Sequence, residues 1–226
     1  MSARRSHVPE PLRELLVAGL AELGVSEALA MPLEKLARLL ARWAARMNLT
    51  GHRTPEAIAR RLILDALALA AQLPVQPPTS VVDLGSGAGF PGLPIALRWP
   101  GCRVTLVEPR ERRHHFQRAA VRNLSIANVT PVRGRVEDLA PIAHQVVVAQ
   151  ALAAPERALA WMLPWACRGG WVALARARAA PPFEVPPGLE SPRIVPYEVP
   201  LGGPRRELWL ARLPDAGRVL RRCDTH

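Results

Sequence analysis

The stretch Val81–Gly92, VVDLGSGAGFPG, constrains the fold of this 226-residue chain more than any other. The apolar run SVVDLG ends in glycine and reads as a buried strand. Gly85, Gly87 and Gly89 follow at alternate positions, and PGLPIALRW continues as a helix. Strand, glycine loop and helix in that order open a βαβ unit of a parallel sheet. Glycine in such a loop lets the chain turn sharply and lets a ligand approach the main chain.

Downstream, the pattern continues. CRVTLVE, NVTPVRG, HQVVVAQAL and GGWVALAR read as strands, with the helices PRERRHHFQRAAVRNLS and PERALAWMLPWA between them. PRIVPYEVP and RRELWLARL, joined by LGGP, predict a closing antiparallel hairpin. Upstream, residues 11–72 have helical periodicity in three stretches: PLRELLVAGLAEL, MPLEKLARLLARWAARMNLT and TPEAIARRLILDALALAAQL. Pro32 sits near one helix start, and Thr54 before Pro55 and Glu56 suits a capped start at another. QLPVQPPTS is a linker, and AAPPFEVPPGLESP is a loop. The expected organisation is a helical extension over 1–74 packed on an α/β domain over 79–214, with a basic tail over 215–226.

Composition bounds the rest. No run of 18 uncharged apolar residues is present, so no membrane partner is expected. MSARRSHVPEP has no apolar run behind it, which predicts a cytoplasmic protein without a signal peptide. Cys102, Cys167 and Cys223 are scattered without metal-ligand spacing, so reduced thiols and no metal site are expected. Of 30 basic residues only Lys35 is lysine, as a GC-rich genome would produce, but that bias does not explain the excess over 19 acidic residues. A net charge of +11 favours a polyanionic partner, with RNA the leading class.

The glycine loop narrows the ligand. Gly87 to Gly92 nominally fits the dinucleotide fingerprint G-x-G-x-x-G, a weak signal by itself. Two details oppose a dinucleotide. Pro91 enters the helix and removes an N–H that a pyrophosphate would want, and Asp83, before the first glycine, repels phosphate. Asp83 suits a cationic amino group instead. S-adenosylmethionine carries an ammonium, a sulfonium and a ribose, and no phosphate. Glu108 ends the second strand 23 residues beyond Gly85, where a carboxylate can accept both ribose hydroxyls.

DLGSGAGFPGLPIAL closely resembles the glycine motif of the RsmG (GidB) family, whose GFPG-x-P extension is far more specific than G-x-G. The resemblance runs from about Trp43 to Arg212, through WAARMNLTGHRTPEAIARRLILDALAL, RGRVEDL and VVVAQALAAPERALAWMLPWACRGGWVAL. It implies a class I methyltransferase: a Rossmann-like, mostly parallel seven-stranded sheet with a C-terminal antiparallel hairpin. It further implies transfer of a methyl group from S-adenosyl-L-methionine to guanine N7 of 16S ribosomal RNA, as free RNA or in the 30S particle. A monomer is expected. Carried over, Asp83, Gly85, Ser86, Gly87, Gly89, Phe90 and Gln150 belong to the cofactor side, Glu108 to the ribose, and Val136 and Glu137 to the adenine. Asn48 and Asp65, in the helical part leaning over the pocket, and Arg176 belong to the substrate side.

Departures gather on the acceptor side. Leu62 stands where the family usually has His, Gln150 where it has Arg, and Ala175 where it has Lys, with Arg176 next door. Arg206-Glu207-Leu208 stands where R-H-L is common. Two alternatives therefore stay open: a degenerate relative that binds S-adenosylmethionine or RNA without transfer, and a small-molecule methyltransferase. Guanine N7 has a lone pair and no proton, so the reaction needs alignment rather than a general base, and no catalytic residue is assigned. PRERRHHFQRAAVRN is equally an RNA-facing stripe or a solvated face. His114 and His115 are expected at the surface, and Trp161, Trp165 and Trp171 in the core.

Overall fold

A computed structural model of the chain describes residues 11–178 and 180–215. Seven strands form one sheet: β1 Ser80–Leu84, β2 Arg103–Glu108, β3 Val129–Arg133, β4 His144–Gln150, β5 Ala166–Ala177, β6 Glu190–Glu198 and β7 Arg205–Arg212. Their order is β3-β2-β1-β4-β5-β7-β6. β1 to β5 run parallel, and β7 joins antiparallel to β5 and β6, as the closing hairpin required. Chain direction across the sheet reverses between β1 and β4, where open α/β sheets bind ligands at the carboxyl ends of their strands.

Period-2 alternation splits the core into two layers. Val81, Val146, Val148, Leu208 and Leu210 face one side, where they pack with the helices α1 Leu12–Glu22, α2 Ala30–Ala44, α4 Leu64–Ala70, α5 Gly92–Arg98 and α6 Glu111–Leu124. Val82, Val147, Ala149, Trp209 and Ala211 face the other, against α7 Pro155–Met162 and Trp165. On α2 the buried stripe is Leu33, Leu36, Ala37, Leu40 and Ala44, a helical spacing. Thr54 caps the next helix, α3 Pro55–Ile58, by accepting from the Ala57 N–H at 3.2 Å.

Three readings need correction. TPEAIARRLILDALALAAQL is not one regular helix, because a π-helical turn, Ala59–Ile63, separates α3 from α4. Ile58 and Ala59 are fully buried, and so are Ile63 and Leu64 five residues on. A 3.6-residue period cannot bury both pairs on one side, and one wide turn can. His114 is half-buried against the β3 backbone at Pro131 rather than at the surface, and burial lowers its pKa. Cys102 is a free buried thiol, but Cys167 is disulfide-bonded rather than reduced. Cys223 and the basic tail beyond Asp215 lie outside the described residues, as does the N-terminal segment before Pro11. No helix among the described residues is long and apolar enough to cross a membrane.

Candidate cofactor and acceptor site

β1 delivers Asp83 and the glycine loop to the switch point. Gly85, Gly87 and Gly89 have φ of +71°, +58° and +88°, a region that a side chain rarely enters. A Cβ on Gly87 would meet nothing nearer than 4.0 Å, so the space above it is open. A Cβ on Gly92 would fall 2.2 Å from Leu106 and 3.1 Å from Asp83 Oδ2. Gly92 is therefore required for close packing, and Gly87 for its dihedral and the room it leaves.

The loop donors are spent inside the protein. Gly85 and Ser86 N–H both donate to the Val107 carbonyl, and Gly89 and Phe90 N–H to Ser86 O. Gly87 N–H donates to Glu108 Oε2 at 2.9 Å. The first N–H of α5, on Gly92, donates to Asp83 Oδ2 at 2.8 Å. No nest of free donors remains among these groups for a pyrophosphate, which agrees with the reading of Pro91 and Asp83.

Asp83 is 1% exposed, and its Oδ1 is buried without a hydrogen-bond partner. Burial pushes its carboxyl up to about 7; the Gly92 hydrogen bond opposes this, and the nearby Glu108 charge adds to it. An orphaned buried acceptor is costly to leave unmade. A cationic donor would relieve it. Glu108, at the end of β2, accepts from Gly87 N–H on Oε2 and from Arg110 N–H on Oε1 at 2.8 Å. The donor set fits S-adenosylmethionine: an unpaired carboxylate oxygen for an ammonium, a second carboxylate for a diol, open space above Gly87, and no phosphate cradle.

Two residues on α6 were not singled out in the sequence. Gln117 is fully buried, and its amide donates to Ser86 Oγ and to Gly87 O, both at 2.8 Å. One turn earlier, Arg113 pairs with Glu108 at 3.7 Å. A Gln and an Arg in a basic helix carry no sequence signal of their own. The clue is their i, i+4 spacing beside a strand-end carboxylate. Val136 is buried in a short 3₁₀ turn after β3, and Glu137 is exposed and 3.9 Å from Arg135. Gly134 N–H donates to Glu108 O, which ties this turn to β2.

A second polar cluster is held from within. Asp65, on α4, is 4% exposed. It accepts from Tyr197 Oη at 3.2 Å, pairs with Arg206 at 3.3 Å, and is also hydrogen-bonded by Gln150 at the end of β4. Burial raises its carboxyl pKa, and Arg206 opposes that. Burial, with the Asp65 charge second, raises the Tyr197 hydroxyl far above its usual range. Gln150 thus faces this cluster. Arg176 is 8% exposed; it donates to the Pro181 carbonyl and lies over the Phe183 ring. Asn48 is exposed in the loop after α2. Leu62 and Ala175 pack against the larger core layer. A cavity of about 360 Å³ opens beside the cluster, lined by Tyr197, by Arg178, Arg205 and Arg206, and by Glu198 and Glu207.

Residues 30–181 match the GidB family model, described as rRNA small subunit methyltransferase G. A curated protein of Stenotrophomonas maltophilia, Ribosomal RNA small subunit methyltransferase G, is 36% identical over 88% of this chain and 94% of its own length. Its namesake in Chromohalobacter salexigens is also 36% identical, over 85% of this chain and 93% of its own. Among solved structures, a SAM dependent methyltransferase from Aquifex aeolicus superposes with a TM-score of 0.52 and 16% identity, covering 70% of this chain and 93% of that one. That likeness is one of fold, the class I methyltransferase fold with its antiparallel final hairpin. With a family match over most of the chain and relatives aligned over nearly their whole length, the chain belongs to the GidB family of rRNA small subunit methyltransferases.

Proposed function

We propose that the chain is an S-adenosylmethionine-dependent methyltransferase acting on guanine N7 of small-subunit ribosomal RNA. The observation that carries the cofactor assignment is the buried, unpaired Asp83 Oδ1 beside Glu108 at the switch point. Family membership carries the acceptor class and disfavours a degenerate or small-molecule role. The proposed acceptor is 16S ribosomal RNA, free or in the 30S particle, met in the cytoplasm by a monomeric enzyme.

S-adenosylmethionine supplies a methyl group on a cationic sulfur. Asp83 would hold the ammonium, and Glu108 would receive the ribose hydroxyls. Gly85, Ser86, Gly87, Gly89 and Phe90 shape the floor, and Val136 with Glu137 flanks the adenine. Guanine N7 brings its own lone pair, so no side chain takes a proton. The protein's work is to hold the base in line at roughly 3–3.5 Å and to exclude water. Asp65, Gln150, Tyr197 and Arg206 brace the acceptor side, and Asn48 lies where RNA can reach it. Arg176 keeps a bracing role through Pro181 and Phe183.

The test is transfer itself. Labelled S-adenosylmethionine is incubated with the protein and 30S particles from a strain lacking the family enzyme. Label in 16S RNA, recovered as 7-methylguanosine after nuclease digestion and mass spectrometry, is expected. Cofactor binding without any methylated nucleoside would refute the assignment.

A further inference from the structure

The proposed ribose carboxylate is held in an unusual balance. A carboxylate has four lone-pair sites, two on each oxygen. Gly87 N–H takes one on Glu108 Oε2, and Arg110 N–H takes one on Oε1. One site is left on each oxygen, which matches the two donors of a cis-diol. Glu108 is nevertheless 2% exposed, and its charge acts on Asp83, a second buried carboxylate. A buried carboxylate beside a like charge is costly to hold in place without a positive counter-charge.

Arg113 answers this. Its Nη1 is 3.7 Å from Glu108 Oε2, close enough for a charge pair but beyond hydrogen-bond length. It therefore supplies positive charge without using an acceptor site. Other arginines near this edge are drawn elsewhere: Arg133 lies 3.3 Å from Glu111, and Arg135 lies 3.9 Å from Glu137. Helix α6 fixes Arg113 one turn ahead of Gln117, which clamps Ser86 and Gly87. The guanidinium lies 4.0 Å from where a Gly87 Cβ would stand, at the margin of the open space. Its Nε is buried and has no hydrogen-bond partner. We infer that Arg113 is a positioning residue for the cofactor, holding the Glu108 carboxylate in place by charge while leaving both of its remaining acceptor sites to the ribose diol. The inference rests on the reading that Glu108 receives the ribose.

Calorimetric titration with S-adenosylhomocysteine, and with its 2′,3′-dideoxy analogue, separates this role from a structural one. Arg113→Met is expected to weaken S-adenosylhomocysteine binding about tenfold, and Arg113→Lys by less than about threefold. The dideoxy analogue should bind Arg113→Met and the unaltered protein alike. In a Glu108→Gln background, Arg113→Met should add almost nothing. Unchanged affinity in Arg113→Met overturns the inference. So does an equal loss for both ligands, which would mean that Arg113 only shapes the loop. If the unaltered protein binds neither ligand, the cofactor assignment itself falls.

Discussion

In the proposed role of ammonium ligand, Asp83 would serve binding at the expense of stability. Its carboxyl is raised from 3.8 to about 7 by burial and by Glu108. Between those values the native state holds a proton that the unfolded chain releases, so this residue's contribution falls as pH rises from about 4 to 7. Asp83→Asn removes the titration. Its stability advantage over the unaltered protein should be small near pH 4 and grow to several kcal/mol, about 4 at the upper limit, above pH 7. Urea unfolding at pH 5, 6, 7 and 8 measures the difference. Cofactor affinity should move the other way, because an ammonium needs the ionised carboxylate: binding strengthens from pH 6 to 8 in the unaltered protein and is weak and pH-independent in Asp83→Asn. A constant stability difference across pH would show that Asp83 does not titrate in this window. That Asp83 ends the strand at the mouth of the glycine loop was legible from its place before Gly85. That one of its oxygens already belongs to Gly92 was not, because a helix N-terminus packed against its own preceding strand is a tertiary fact.

At the scale of elements, the strands were legible because buried β-branched runs ending in Gly or a carboxylate leave few alternatives. Helix α6 shows where such reading stops. ERRHHFQRAAVRNL has a weak apolar stripe, and its charges suggest a solvated or RNA-facing surface. Only the fold reveals that Arg113 and Gln117 form its inward polar edge, since Gln in a helix is ordinarily a surface residue. Gln117→Leu keeps the size and deletes both donors to the loop. It should cost about 1–3 kcal/mol in stability, leaving Gly87 O and Ser86 Oγ without these bonds, and weaken S-adenosylhomocysteine binding at the same time. Thermal unfolding with and without ligand measures both; a destabilised variant with full affinity would reduce Gln117 to a packing role. The π-turn was hidden for a different reason. Ile58, Ala59, Ile63 and Leu64 declare a five-residue interval, but helical pattern matching averages it into the 3.6-residue background.

For the whole molecule, charge and the acceptor-side departures decide the outcome together. A net charge of +11 predicts RNA binding that weakens steeply with salt through counterion release, by about a hundredfold or more between 50 and 200 mM. The departures at Leu62 and Gln150 were legible as differences, but their meaning was not, because sequence does not show what fills the space. In the fold, Leu62 packs against the core, and Gln150 bonds Asp65, whose counter-charge is Arg206. Replacing Gln150 by Arg would set a second guanidinium beside Arg206 on one buried carboxylate, and Leu62→His would place a polar ring against an apolar layer. The double variant should therefore transfer methyl groups more slowly than the unaltered protein, with cofactor affinity little changed. Initial rates on 30S particles, read as 7-methylguanosine by mass spectrometry, compare the two. A double variant that methylates while the unaltered chain does not would mean that these positions have been emptied of acceptor contacts rather than rebuilt around Asp65.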